Sequence, residues 1–202
     1  MKVLRNREVE VKNIRIGDQI VISLSEFGEF TATAQKITDK GTLFLFDDCV
    51  TRKPMNKKRT NKGGFEKSDL KKWIDNVLLP AFPDYLRNRI ENLTIPTYGQ
   101  IFGHDAFYND VIEPDNDDQL PLMTKRKNRI ADVENDYGWY WLQNATKKEL
   151  STDYFANVAY DGDADCGSVS TPRGVRPVFL LVTKYLPLVG GLFERGKNHE
   201  KT

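Results

Sequence analysis

Histidine and cysteine are scarce in this 202-residue chain, which holds two of each: His104 and His199, Cys49 and Cys166. A histidine-dependent catalytic triad or a multi-histidine zinc centre therefore has little material to work with. The cysteines lie far apart without partner spacing, which excludes a disulfide framework or a cysteine-rich zinc site. An excess of one charge is also missing, since 30 basic residues stand against 29 acidic ones for a formal +1, so the chain is neither a bulk polycation nor an acidic tail protein. The longest apolar stretch, residues 178–193, contains Lys184, Pro187 and two glycines, which a membrane span of about twenty residues would not readily tolerate. The opening decapeptide, Met1 to Glu10, lacks the apolar run of a secretory signal, so the expectation is cytoplasmic synthesis. No internal repeat, heptad, low-complexity tract or phosphate-cradling Gly-rich turn stands out, and no cofactor is implied.

What is present is enough apolar content, 39% of residues, to bury a real core at this length, together with strong local charge. Seven basic residues between Arg52 and Lys67 face only Glu66, around Gly63-Gly64, which reads as a basic loop. From Asp105 to Asp118 there are six acidic residues and no basic one, a second loop around Pro114 and Asn116. Lys125-Arg-Lys-Asn-Arg129 and Asp161-Gly-Asp-Ala-Asp165 reverse the sign twice more. Such loops either pair with one another or form a charged recognition surface. Nucleic acid is disfavoured as a partner, because only Phe65 interleaves with the basic run and the whole chain is close to neutral.

Short β-rich runs at 19–23, 30–37 and 42–46 predict an N-terminal β-meander. The period then switches: Leu70, Trp73, Ile74, Val77 and Leu78 share one face of a helix, with Ser68 as N-cap and Pro80 as stop. Pro83 opens a second helix that carries Leu86 and Ile90 and ends near Leu93 to Pro96, and Thr97 caps a third that ends at Gly103. Strands return at 139–142, 154–160 and 175–182, with an irregular Gly/Asp/Ser-rich segment between the last two. The fold class is therefore α+β: an N-terminal β-meander, two to three short helices and C-terminal antiparallel strands. Residues 1–14 read as an N-terminal extension, 15–185 as a single α+β domain and 186–202 as a tail.

Three blocks together are more specific than any alone: Lys67-Ser-Asp-Leu-Lys-Lys-Trp-Ile74, then Thr94-Ile-Pro-Thr-Tyr-Gly-Gln-Ile-Phe-Gly103, and Trp139-Tyr-Trp-Leu142 with Gly174-Val-Arg-Pro-Val178. Their order and spacing resemble the domain of unknown function family 6273, a set of uncharacterised bacterial and prophage-associated domains, over roughly residues 15–183. At Gln143 that family frequently carries a basic residue. The Trp-rich strand, polar loop and Gly-Val-Arg-Pro strand also look like the C-terminal half of C-type-lectin-like folds of the formylglycine-generating-enzyme kind. That likeness implies a C-type-lectin-like architecture that displays a ligand-binding surface on irregular loops, with protein or carbohydrate as ligand; fold alone does not fix function.

Asp161, Asp163 and Asp165 alternate as in an EF-hand calcium loop, but Cys166 replaces the glycine of the sixth position and Pro172 the glutamate of the twelfth. Glu113-Pro-Asp115 only partly matches a lectin calcium motif. His104 beside Asp105 is an acid–base pair or a helix-end residue. Cys166 lies among aspartates that disfavour its thiolate, and no second cysteine is near it for the thiol or copper chemistry of the formylglycine-generating enzymes. Trp139 and Trp141 share a strand face and are expected beneath the C-terminal strand, with Arg176 as a clamp on a carboxylate or backbone carbonyls. Tyr140, Tyr154 and Tyr160 are the alternative aromatic anchors.

The resulting expectation is a non-catalytic, lectin-like binding module of bacterial or prophage origin, whose protein or glycan ligand meets Tyr154, Tyr160, Asp161, Asp163, Asp165, Ser168, Ser170 and Arg173, with no catalytic or metal-binding residue. Two alternatives stand beside it: a structural or assembly component of a phage particle, with virion association, and an enzyme that uses Asp105, Asp161, Asp163 and Asp165 as acid–base or metal groups. Oligomeric state is not legible in the sequence.

Overall fold

The computed structural model describes residues 14–134 and 136–182. The expected tail and all but Ile14 of the expected extension lie outside them, and Ile14 itself packs against the core. Strands β1 (Gln19–Leu24), β2 (Gly28–Ile37) and β3 (Gly41–Phe46) form the expected antiparallel meander. The chain then makes the two-residue strand β4 (Arg52–Lys53) and a helical run composed of α1 (Asp69–Trp73), a π-helical turn (Ile74–Leu78) and α2 (Leu79–Ala81). Ser68 caps this run as expected, its side chain accepting the Lys71 N–H. Pro80 does not stop it. The Leu79 N–H reaches back to the Ile74 carbonyl, a π-type bond, and the residue inserted just ahead of Pro80 offsets the ladder that its ring would otherwise disrupt.

The second expected helix is only α3 (Asp84–Arg87); Ile90 belongs instead to strand β5 (Ile90–Thr94), which pairs with the last strand of the chain. Helix α4 (Tyr98–Phe102) matches expectation and carries a full capping box between Thr97 and Gln100, with Gly103 at φ 74° closing it. Part of the expected acidic loop is helical: Asp105 caps α5 (Ala106–Val111) by accepting the Tyr108 N–H. A small ribbon, β6 (Asp132–Val133) and β7 (Asp136–Tyr137), precedes β8 (Tyr140–Ala145), β9 (Tyr154–Val158), β10 (Ala164–Ser168), β11 (Arg173–Gly174) and β12 (Val178–Val182).

These strands build two five-stranded sheets, β1-β2-β3-β12-β5 and β10-β9-β8-β11-β4. All pairings are antiparallel except that of β11 with β8. The molecule is thus α+β. The segment expected to be irregular between Tyr160 and Gly174 contains β10, paired with β9 from Ala164↔Val158 to Ser168↔Tyr154. The expected last strand, 175–182, is divided. Gly174 lies in the second sheet and Val178 in the first, so Val175-Arg-Pro177 carries the chain from one sheet to the other.

The first core cluster joins the inner face of the meander, the helical run, Trp141 and Phe155. Phe46, Phe82 and Phe179 meet within it edge to face, at centroid distances of 5.8–6.1 Å. The second cluster gathers Tyr98, Ile101 and Tyr108 against Tyr140, Leu142, Ala156 and Val158. Because β8 is covered on both faces, Tyr140 and Trp141 are both fully buried. Tyr140 is therefore not the exposed anchor that the sequence allowed. Trp139, just ahead of the strand, is 36% exposed rather than buried with Trp141.

Candidate functional site

The residues picked from the sequence do not converge on one point. Tyr154 and Ser168 face each other at one end of the β9–β10 hairpin, while Tyr160, Asp161 and Asp163 lie beyond its other end. The four steps of β9 alone separate the ends by about 13 Å. At the first end, Ser168 Oγ donates to Asp153 and lies 3.3 Å from Ser170 Oγ, and Arg59 closes on the same Asp153 carboxylate at 2.9 Å. Burial works to raise the Asp153 pKa, but the hydrogen bonds from Arg59, Ser151 and Ser168 outweigh it and hold the carboxyl below its usual range. This end is a self-satisfied network beside an exposed Tyr154.

At the other end the acidic turn is neutralised from within the chain. Arg126 donates from Nε to the Asp161 carbonyl at 2.8 Å, and from one Nη to the Asp161 and Asp163 carboxylates at 2.8 and 2.9 Å. Asp161 and Asp163 are thereby engaged by a cation supplied by the 125–129 basic run. Among the described residues, no group of three or more His, Cys, Asp or Glu side chains is placed to hold a metal ion. Asp105 is likewise occupied: both of its oxygens accept from the Tyr98 hydroxyl at 3.0 and 3.1 Å, so exposed His104 stands at a helix end, stacked on Tyr108.

Tyr160, Asp165 and Arg173 do come together, with partners that the sequence reading left out or placed elsewhere. Directly opposed residues of neighbouring strands share a sheet face, so the registers Trp141↔Asn157 and Asp165↔Asn157 place Trp141, Asn157 and Asp165 on one face. Gly167, two residues after Asp165, points the same way, and a Cβ there would collide with a guanidinium nitrogen of Arg173. The absent side chain is what lets the guanidinium approach the strand here. It sits 5.3 Å from the Trp141 ring and 5.8 Å from that of Trp139, and Trp139 in turn meets Tyr160 edge to face at 5.1 Å.

Trp139 and Tyr160, 36% and 53% exposed, form an aromatic corner at the surface beside half-buried Arg173. Arg173 makes no side-chain hydrogen bond among the described residues, and its Nε is shut off from solvent without a partner. Its pKa is lowered, by burial first, against the opposing pull of Asp165 and Cys166. Asn157, fully buried and opposite both Trp141 and Asp165 in register, has neither carboxamide oxygen nor nitrogen partnered among the described residues. Sequence alone held one signal for this arrangement: Gly167, between Cys166 and Ser168 in a strand that otherwise alternates, marks a close approach.

A second feature escaped the sequence reading. Residues 60–66, residues 113–115 and the end of β8 enclose a groove of about 800 Å³, and a smaller hollow of about 410 Å³ shares Glu66 and Gln143 with it. Its charged lining is mixed, with Lys62 and Lys148 beside Glu66, Glu113 and Asp115. Part of its polar wall is engaged within the chain: Asn144 accepts from Tyr98 N–H and donates to Asp115, Gly99 N–H donates to Asp115, and Asn61 donates to the Ser151 and Tyr154 carbonyls. Gln143, at the position where a basic residue was expected of the family, donates to the Ile95 carbonyl.

The signature blocks mostly position other residues. Gly99 has no room for a Cβ against Asp115 and Asp117, and Gly174 has none against Cys49 and Val133. Arg176 clamps the crossover by donating to the Phe46, Asn128 and Arg129 carbonyls and to the Tyr140 hydroxyl. Neither the curated proteins nor the solved structures give a match to the chain. The sequence model of the family described as Domain of unknown function (DUF6273) matches residues 40–183, a span that includes all three blocks. With most of its length matched, from the last strand of the meander to the closing strand, the chain belongs to the DUF6273 family.

Proposed function

We propose that this domain is a non-catalytic recognition module that binds a glycan or a protein surface through Trp139, Tyr160 and Arg173. The observation that carries the reading is the exposed Trp139–Tyr160 corner set against an arginine whose buried Nε has no partner among the described residues. Rigid aromatic groups beside a guanidinium are the side chains that dominate recognition surfaces, because they bring large contact area at low conformational cost. The groove is the weaker candidate, since Asn61, Asn144 and Asp115 of its wall are already bonded within the chain. Three of the four carboxylates considered for catalysis, Asp105, Asp161 and Asp163, are engaged by Tyr98 and Arg126, which supports the non-catalytic reading. The lectin-like architecture and a bacterial or prophage setting belong to the same proposal and rest on likeness in sequence.

The experiment is a screen of the full chain on glycan and host-surface protein arrays, beside the W139A/Y160A double variant. Wild-type binding that falls at least tenfold in the double variant is the expected result. Binding that survives both truncations overturns the assignment.

A further inference from the structure

A half-buried guanidinium has five N–H donors in a planar fork, and in Arg173 none of them is spent on a side chain or carbonyl among the described residues. The guanidinium carbon lies 5.8 Å from the Trp139 ring and 5.3 Å from the Trp141 ring, so a group seated on the exposed Trp139 ring is also within reach of the guanidinium. Lys53 lies directly opposite Arg173 in the β11–β4 pair and so shares its face. The nearby carboxylate, Asp165, accepts its neighbour's Cys166 N–H, and no ion pair within contact distance joins it to Arg173 among the described residues. Buried Asn157, with both ends of its carboxamide unpartnered, lies next to Asp165 and Trp141 on the same face. This is an arrangement with a cation, a flat apolar wall and unused polar groups, but no anion matched to them.

We infer that the Trp139–Tyr160–Arg173 surface takes an acidic sugar, a pyranose carrying a carboxylate, with the carboxylate on the Arg173 fork and the C–H face of the ring on Trp139 or Tyr160. The inference rests on the recognition reading above and names its ligand class. A carboxylate matches the guanidinium in two parallel hydrogen bonds, which a neutral hydroxyl does not. The C–H bonds on one face of a pyranose meet the negative face of an aromatic ring favourably. Scale also argues for a sugar over a protein. A stable protein interface covers about 800 Å² on each partner, whereas the exposed aromatics here are two rings. The other exposed large apolar residues of the hairpin region, Leu150 and Tyr154, lie towards its far end.

The test uses the full chain and oligogalacturonate, with the carboxyl-reduced galactan oligosaccharide of the same length as the neutral control and poly-glutamate as the acidic peptide control. Binding is followed by tryptophan fluorescence and calorimetry at low and moderate salt. The expected result is that oligogalacturonate binds at least tenfold more tightly than the reduced oligosaccharide and weakens as salt rises. In R173K, which keeps the charge and loses the fork, that preference falls to threefold or less while the melting temperature stays near wild type. W139A weakens both oligosaccharides. Equal affinity for acidic and neutral sugars, with W139A still abolishing both, overturns the acidic class and leaves the recognition surface standing. Binding of any sugar that W139A and Y160A leave unchanged overturns the surface itself. Poly-glutamate bound as tightly as oligogalacturonate, or no binding by any of the three, overturns the sugar assignment.

Discussion

Two arginines three positions apart, Arg173 and Arg176, show how differently one side chain is used in this molecule. Arg176 is 4% exposed, and its fork closes on three carbonyls and a hydroxyl, so its charge is surrounded by acceptors. Arg173 has no such set among the described residues. The first pattern is structural, and its removal has a calculable cost. Arg176→Met leaves the Phe46, Asn128 and Arg129 carbonyls without this donor, and orphaned buried acceptors cost about 1–3 kcal/mol each before relaxation. We expect a loss of about 3 kcal/mol or more in urea denaturation. Tyr140→Phe, which removes a hydroxyl that donates to Arg129 and accepts from Arg176, should cost about 1–2 kcal/mol. The double variant should cost less than the two losses added, because one bond is shared. An Arg176→Met protein within about 1 kcal/mol of wild type would show that water replaces the clamp.

At the scale of elements, the helical run over residues 69–81 makes the sharpest claim. A proline inside a regular helix costs about 3 kcal/mol. Pro80 follows a π-type turn that already offsets the carbonyl ladder. Replacing it with alanine should therefore change stability by less than about 1 kcal/mol, whereas a gain of 2 or more in denaturant titration would mean that the proline strains the helix. The sequence was readable where a local rule decides the outcome. Ser68 and Thr97 as caps, Gly103 as a terminator and the alternation of β1 to β3 all follow from neighbours within a few residues. It was misread where a distant strand decides. Ile90 fits a helical face on spacing alone, but β12, some ninety residues later, takes that segment as a strand partner. The Gly/Asp/Ser-rich stretch reads as loop by composition, yet β9 organises five of its residues into β10. The proposed surface is half legible for the same reason: Arg173, Tyr160 and Asp165 stand out by residue type. Asn157 acquires its place only from the β8–β9–β10 register, and Trp139 from its contacts with Tyr160 and Arg173.

For the molecule as a whole, the segregated charges of a near-neutral chain partly pair across the fold. Arg126 spans the acidic turn at Asp161 and Asp163, Arg59 meets Asp153, and Arg52 lies 3.8 Å from Glu134, so several of the segregated charges answer one another across the fold. Most of these pairs are solvent-exposed and contribute little to stability; the pH response is set by groups buried in their neutral form. Burial raises Cys49 to about 12 from 9.0. It also raises Tyr140, and Tyr98 with help from the Asp105 hydrogen bond, above the ordinary tyrosine range. A folded pKa above the unfolded one means that the stability is complete below the unfolded value and is lost as pH climbs toward the folded one. Below pH 9 both states keep the Cys49 proton. Above it the unfolded chain releases the proton first, and stability falls by about 1.4 kcal/mol per pH unit for each such group. Half-buried Cys166 shifts in the same direction, by burial and then by Asp165. The melting temperature should therefore be level from pH 7 to about 9 and decline above it, more steeply beyond pH 10 as the two tyrosines join. Circular-dichroism melts across pH 7 to 11, with Cys49→Ala alongside, separate the contributions: the variant should decline less between pH 9 and 10, where tyrosine ionisation has barely begun. A wild-type curve that stays level to pH 11 would mean that these three side chains gain water on a timescale faster than unfolding, and that the two cores are looser around Cys49 and Tyr98 than their burial implies.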